Sequence, residues 1–111
     1  MKRTFIEVPT FTKRWHELGL TDEALRGLEN VLLDNPKAGD AIQHTGGLRK
    51  IRVSLESKGK GKRGGARVLY VDVEVKETLY FINVYAKNEQ EDLTPDECKA
   101  FRAVIKMLKG E

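Results

Sequence analysis

ARVLYVDVEVKETLYFINVYA, running from Ala66 to Ala86, holds two apolar stretches with a short break between them. Residues 66–74 alternate, with Leu69, Val71 and Val73 on one side and Val68, Tyr70 and Asp72 on the other. Side chains of a strand point to opposite faces in turn, so this period of two reads as a β-strand. Glu74 to Glu77 is a turn, and 78–86 is a second strand rich in aromatic and β-branched residues. Upstream, residues 48–55 repeat the pattern. Ile51, Val53 and Leu55 share one face, and Lys50, Arg52 and Ser54 share the other. Three closely spaced runs of this kind predict an antiparallel meander.

Helical signals flank the meander. A short strand is expected over 3–8, followed by a helix over 9–18 that Pro9 opens. Its stripe is Phe11, Trp15 and Leu18, at i, i+4 and i+7. Gly19 ends it, Thr21 can cap a second helix, and Asp22 and Glu23 suit the positive end of that helix dipole. Leu25, Leu28 and Leu32 give the second helix its buried face, and Asn35-Pro36 stops it. Lys37 to Gly47 reads as a polar connection. Thr94-Pro95-Asp96-Glu97 is a capping box with proline at the first helical position, and Cys98, Phe101, Ile105 and Leu108 follow at helical spacing. The order β-α-α-β-β-β-α predicts one α+β domain over residues 1–111, its antiparallel sheet covered by an N-terminal helical hairpin and a C-terminal helix.

Composition limits the function. No apolar run approaches the ~20 residues that span a bilayer. The segment Met1 to Glu7 meets an acid before any apolar h-region forms, so it is not read as a signal peptide. Cys98 is the only cysteine, so no internal disulfide is possible, and a cytoplasmic location is expected. His16 and His44 lack companions at metal-ligand spacing, so neither a metal nor a cofactor is expected. Each histidine reads as a surface or structural residue, and Cys98 as core filler.

Charge is the informative feature. The net charge is +3, but from Arg49 to Arg67 there are eight cations against one acid, Glu56. Such a block is an electrostatic footprint for a polyanion. Lys50 and Arg52 stand on one strand face about 6.6–7 Å apart. Arg67 opens the next strand and reaches the same face if the register allows, and Lys87 lies just beyond the last strand. Like charges crowded on a sheet repel. The plain alternative is a solvated polar face. Between the strands, Lys58, Lys60, Lys62 and Arg63 alternate with glycines, as a phosphate-binding arm or a soluble linker would. Tyr70 and Tyr85 fit either core packing or stacking on a base.

Three stretches, NPKAGDAIQHTGGLRKIRV, GKGKRGGARVLYV and VYAKNEQEDLT, resemble the HigB branch of the RelE-like toxins of bacterial type II toxin–antitoxin systems. That resemblance spans nearly the whole chain. It implies a microbial-ribonuclease-type α+β fold and a ribosome-dependent, metal-independent endoribonuclease that cuts messenger RNA in the ribosomal A site. It also implies a helix-turn-helix antitoxin of the HigA kind, with operator DNA contacted only through the toxin–antitoxin complex. The family's catalytic positions fall on Lys50, Arg52, Arg67 and Lys87; some relatives have two lysines on the strand, where Arg52 departs. Some carry a basic residue where Asn88 stands, which places Asn88 with the loop cations as an RNA contact. The rival readings are a ParE-like gyrase inhibitor and a nucleic-acid-binding module without catalysis.

Overall fold

In a computed structural model the chain is described over residues 2–54, 65–87 and 92–111. Lys58, Lys60, Lys62, Arg63 and Asn88 lie outside the described residues. The elements are β1 (Thr4–Glu7), α1 (Pro9–Glu17), α2 (Asp22–Asp34), β2 (Asp40–Ala41), β3 (Leu48–Val53), β4 (Ala66–Val73), a 3-10 turn (Glu74–Lys76), β5 (Thr78–Ala86) and α3 (Pro95–Leu108). They form one five-stranded sheet in the order β1-β5-β4-β3-β2.

Local chemistry sets the boundaries. The Thr21 hydroxyl accepts the Ala24 N–H at 3.0 Å, which satisfies one of the orphan donors at the start of α2. At α3 both halves of the capping box form: the Thr94 hydroxyl accepts from Glu97 N–H and the Glu97 carboxylate accepts from Thr94 N–H. The 3-10 turn ends on Glu77 at φ 49°, a left-handed corner that reverses the chain into β5.

The β3-β4-β5 meander is antiparallel as expected. Two pairings were not legible beforehand. β1 joins the edge of the sheet parallel to β5, and the two-residue β2 pairs with β3 inside the stretch read as a connection. Arg3 fixes that parallel edge. Its Nε and Nη2 donate to the two carboxylate oxygens of Asp72 on β4 at 2.7 and 3.1 Å, reaching across the intervening strand, and both side chains are nearly sealed from water.

Both faces of the sheet are buried, each by its own helical layer. On one face Val68, Tyr70, Leu79, Phe81 and Val84 pack with Phe11, Trp15, Leu28 and Leu32 of the hairpin. Aromatic rings tie this layer together: Phe11 stacks on Phe81 at 4.9 Å and on Trp15 at 5.4 Å between centroids, and Phe5 stacks on Phe81 at 5.7 Å. On the opposite face Leu48, Leu69, Val71, Val73 and Tyr85 pack with Ile105, joined by Phe101 and Leu108 of α3. The alternation in β4 is therefore not apolar-in and polar-out. It divides one strand between two cores, which is why eight consecutive residues can be almost wholly buried.

Tyr70 anchors the β2 end. Its hydroxyl donates to the Pro36 carbonyl at 2.8 Å and accepts the Gly39 N–H at 2.9 Å. Arg49, on the same face, donates to the Gly39 carbonyl at 2.6 Å. A side chain at position 39 would meet Tyr70 and the Lys50 carbonyl within 3.0 Å, so this approach requires glycine. The segment after α2 is thus held against the sheet by polar bonds.

Candidate functional site

The β3–β4 ladder determines where the predicted cations sit. Arg52 pairs with Arg67, Lys50 with Leu69 and Val53 with Ala66. Directly paired residues of an antiparallel ladder share a face, with Cβ atoms about 4.5–5.5 Å apart. Arg52, Arg67 and Lys50 therefore lie together on the face that carries α3. Beneath them, on the hairpin face, Ile51, Val53, Ala66 and Val68 are packed into the other core. The open question of register is answered: Arg67 faces Arg52.

Lys87 follows the last strand. Its N–H donates to the Gly65 carbonyl at 3.2 Å, which brings the end of β5 beside the start of β4. Gly65 itself has φ +36°, and a Cβ there would stand 3.0 Å from the Val53 carbonyl and 3.9 Å from Arg67 Nη1. The tight approach is therefore to the Val53 carbonyl, and a Cβ would meet the Arg67 guanidinium only at an ordinary contact distance.

No carboxylate among the described residues forms an ion pair with Lys50, Arg52, Arg67 or Lys87. Elsewhere cations do find acids: Arg3 pairs with Asp72, Lys37 with Glu74 and Arg14 with Glu17. Even Asp40, which pairs with Lys50 across the short β2–β3 ladder, makes no salt bridge to it. Arg52 is exposed, and Lys50 and Arg67 are half-buried. Facing cations without a carboxylate cost free energy and leave their donors available to an anion.

Tyr85 completes the described part of the face. It pairs with Arg67 across the β4–β5 ladder. Burial pushes its phenol above the ordinary tyrosine value; the charge of Arg67 pulls it down and that of Asp92 pushes it up. A register shift makes this placement possible. Leu69 pairs with Asn83 but Tyr70 with Phe81, so Ile82 is an extra residue in β5. Sequence reasoning left Tyr85 between core and site because alternation alone does not reveal such an insertion. Tyr70, by contrast, belongs wholly to the hairpin core.

The remaining candidates separate as follows. His16 is exposed on α1. His44 sits at φ 68° in the β2–β3 loop, its carbonyl accepting from Arg102 at 2.7 Å. Cys98 is half-buried rather than the core residue expected, because the β2–β3 loop and not the sheet lies beneath it. Together with Leu93, Pro95 and Arg102, His44 and Cys98 line an open cavity of about 330 Å³. The proximity of His44 and Cys98 had no signal in sequence, since they stand 54 positions apart. Among the described residues no group of three or more His, Cys, Asp or Glu side chains could hold a metal ion, and no helix is long and apolar enough to cross a membrane.

Known proteins resemble this chain in sequence and in fold. An E. coli toxin RelE with two arginines replaced by alanine, solved in the free state, superposes with a TM-score of 0.57 at 18% identity, covering 95% of this chain and 98% of that one. At that identity the likeness concerns the α+β fold alone. The sequence itself matches the family described as the RelE toxin of the RelE/RelB toxin–antitoxin system over residues 4–110. With nearly every residue inside that match, the chain belongs to the RelE toxin family, and so is a toxin whose counterpart is an antitoxin.

Proposed function

We propose that this toxin is an endoribonuclease that cleaves messenger RNA on the ribosome, with Lys50, Arg52, Arg67 and Lys87 as its catalytic groups. The observation that carries this reading is the Arg52–Arg67 cross-strand pair, with Lys50 on the same face and no acid among the described residues bonded to any of them. Family membership supports the toxin role, and the facing cations suit the chemistry.

Cleavage proceeds by attack of a ribose 2′-OH on the adjacent phosphorus, with loss of the 5′-oxygen of the next nucleotide. The transition state carries more negative charge than the diester. Two guanidinium forks facing each other on one ladder suit its equatorial oxygens, through charge-assisted hydrogen bonds already in place before reaction. Lys50 lies beside them, where its side chain can take the 2′-OH proton once it has given up its own and stands as a neutral amine. Lys87 holds the backbone or protonates the leaving oxygen. Asp40, the carboxylate that shares the Lys50 position on this face, makes no salt bridge to it, and the reading leaves orientation of the nucleotide to the ribosome. The loop cations Lys58, Lys60, Lys62 and Arg63, with Asn88, extend the contact to ribosomal or messenger RNA.

GGLRKIR, GKRGGARV and the YxKNExxDL pattern support assignment to the HigB branch. The antitoxin is then a helix-turn-helix protein of the HigA kind, and operator DNA is bound through the complex. Residue composition supports a cytoplasmic site of action.

In vitro translation tests the proposal. Wild-type protein truncates messenger in programmed ribosomes, and Arg67→Ala abolishes both truncation and growth arrest while folding persists. Messenger left intact by the wild type, with DNA gyrase inhibited instead, makes the protein a ParE-like poison. Full cleavage by Arg67→Ala shows that the site is misplaced.

A further inference from the structure

Tyr85 is 6% exposed, yet its hydroxyl has no hydrogen-bond partner among the described residues. No fully buried side-chain nitrogen or oxygen among those residues is left unbonded, so this hydroxyl is not sealed inside the core: it reaches solvent. The ring is buried with Leu69 and Ile105, and the residue pairs with Arg67 on the face that holds the cations. Compare Tyr70, whose hydroxyl is saturated by Pro36 and Gly39. A packed aromatic ring with a free phenol at its outer end is a rigid donor waiting for an acceptor.

We infer that Tyr85 is a substrate-contacting residue, its hydroxyl donating a hydrogen bond to a non-bridging phosphate oxygen of the RNA link held by Arg67. The inference rests on the site being the ribonuclease centre proposed above. Three features make phosphate the fitting acceptor. Arg67 lies directly across the ladder, so an anion bound by its guanidinium sits over the Tyr85 position. The phenol is neutral at physiological pH, burial holding its proton on despite the nearby arginine, so it enters as a donor. Its ring is too deeply buried to offer a face to a base, which removes stacking as its role.

The bond is one of several to the same group. Its loss weakens the transition state without abolishing catalysis, as expected for one donor to a charged acceptor.

The test uses full-length toxin on programmed ribosomes, with the cleavage position mapped first. Tyr85→Phe keeps the ring and removes only the donor. Cleavage is expected to slow between about 10-fold and 100-fold, with an unchanged denaturation midpoint. A second measurement separates contact from packing. Sulfur placed at either non-bridging position of the scissile link accepts hydrogen bonds poorly, so one of the two phosphorothioate diastereomers is cleaved slowly by the wild type. For Tyr85→Phe that particular penalty shrinks. Wild-type rates from Tyr85→Phe, or identical sulfur penalties in both proteins, overturn the inference while leaving the arginine site standing. Normal cleavage by Arg67→Ala removes the site itself and the Tyr85 contact with it.

Discussion

Arg52 and Arg67 occupy facing positions of the β3–β4 ladder, and neither is bonded to a carboxylate among the described residues. Two guanidinium groups so placed repel each other and add nothing to the packing of either core. The hydrophobic residues on the reverse of the same strands, Ile51, Val53, Ala66 and Val68, hold the pair together from below. Stability on one face thus sustains electrostatic strain on the other, and this division underlies the first prediction.

Replacing Arg52 by Gln is expected to raise folding stability by a few tenths to about 1 kcal/mol while lowering RNA cleavage. Denaturant unfolding at low and high salt checks it. Added salt should stabilise the wild type more than the variant, because the repulsion is screened only where it exists.

Gly65 gives the second prediction. Alanine there is strained at φ +36° and presses on the Val53 carbonyl, beside Arg67 Nη1. We expect Gly65→Ala to cost about 1–3 kcal/mol of stability and to depress cleavage more than that loss of folded protein explains. Activity per folded molecule, with the folded fraction taken from circular dichroism, is the measurement.

The third concerns the clamp at the sheet edge. Asp72→Asn leaves the Arg3 guanidinium nearly buried without its bidentate carboxylate, a loss of about 3 kcal/mol. Thermal unfolding and amide exchange in β1 should both report it, whereas the register of Arg52 with Arg67, two strands away, should survive.

A fourth follows from Tyr70. Tyr70→Phe removes the acceptor of the Gly39 N–H and the donor to Pro36, and costs about 1–3 kcal/mol. Burial holds the Tyr70 phenol above the ordinary tyrosine value, a trend that the Gly39 N–H and Arg49 partly oppose. A phenol that keeps its proton more tightly when folded stabilises the fold below about pH 10, and that contribution fades as pH rises through the folded value. The stability gap between wild type and Tyr70→Phe should therefore be constant at neutral pH and change only in alkali. Urea titrations at several pH values decide it.

Much of the architecture was legible because local chemistry and tertiary packing agree. The Thr21 cap, the capping box of α3, Pro9, the Asn35-Pro36 stop and the alternation of Leu69, Val71 and Val73 each mark their elements within a few residues. What could not be read depends on partners distant in the chain. β1 reveals nothing of its parallel neighbour, and β2 is too short to show a period. Ile51 and Val53 announce an inner face, which places Lys50 and Arg52 together on the other. The position of Arg67 required the register across residues 54–65, and a loop of that length permits several. Cys98 followed the helical stripe yet landed over a loop, because spacing tells which way a side chain points and not what lies beneath it.

Ile82, the supernumerary residue of β5, has a consequence for the chemistry of the whole face. Counting by twos from Leu79 and Phe81 would send residues 83 and 85 toward the helical hairpin; the insertion resets the phase, so Val84 turns inward there and Tyr85 comes up beside Arg67. Removing Ile82 itself would leave a regular strand with Tyr85 still opposite Arg67, whereas removing Val84 would turn the phenol toward the hairpin and away from the cations. In this protein the identity of a reactive surface is partly a matter of arithmetic along the strand.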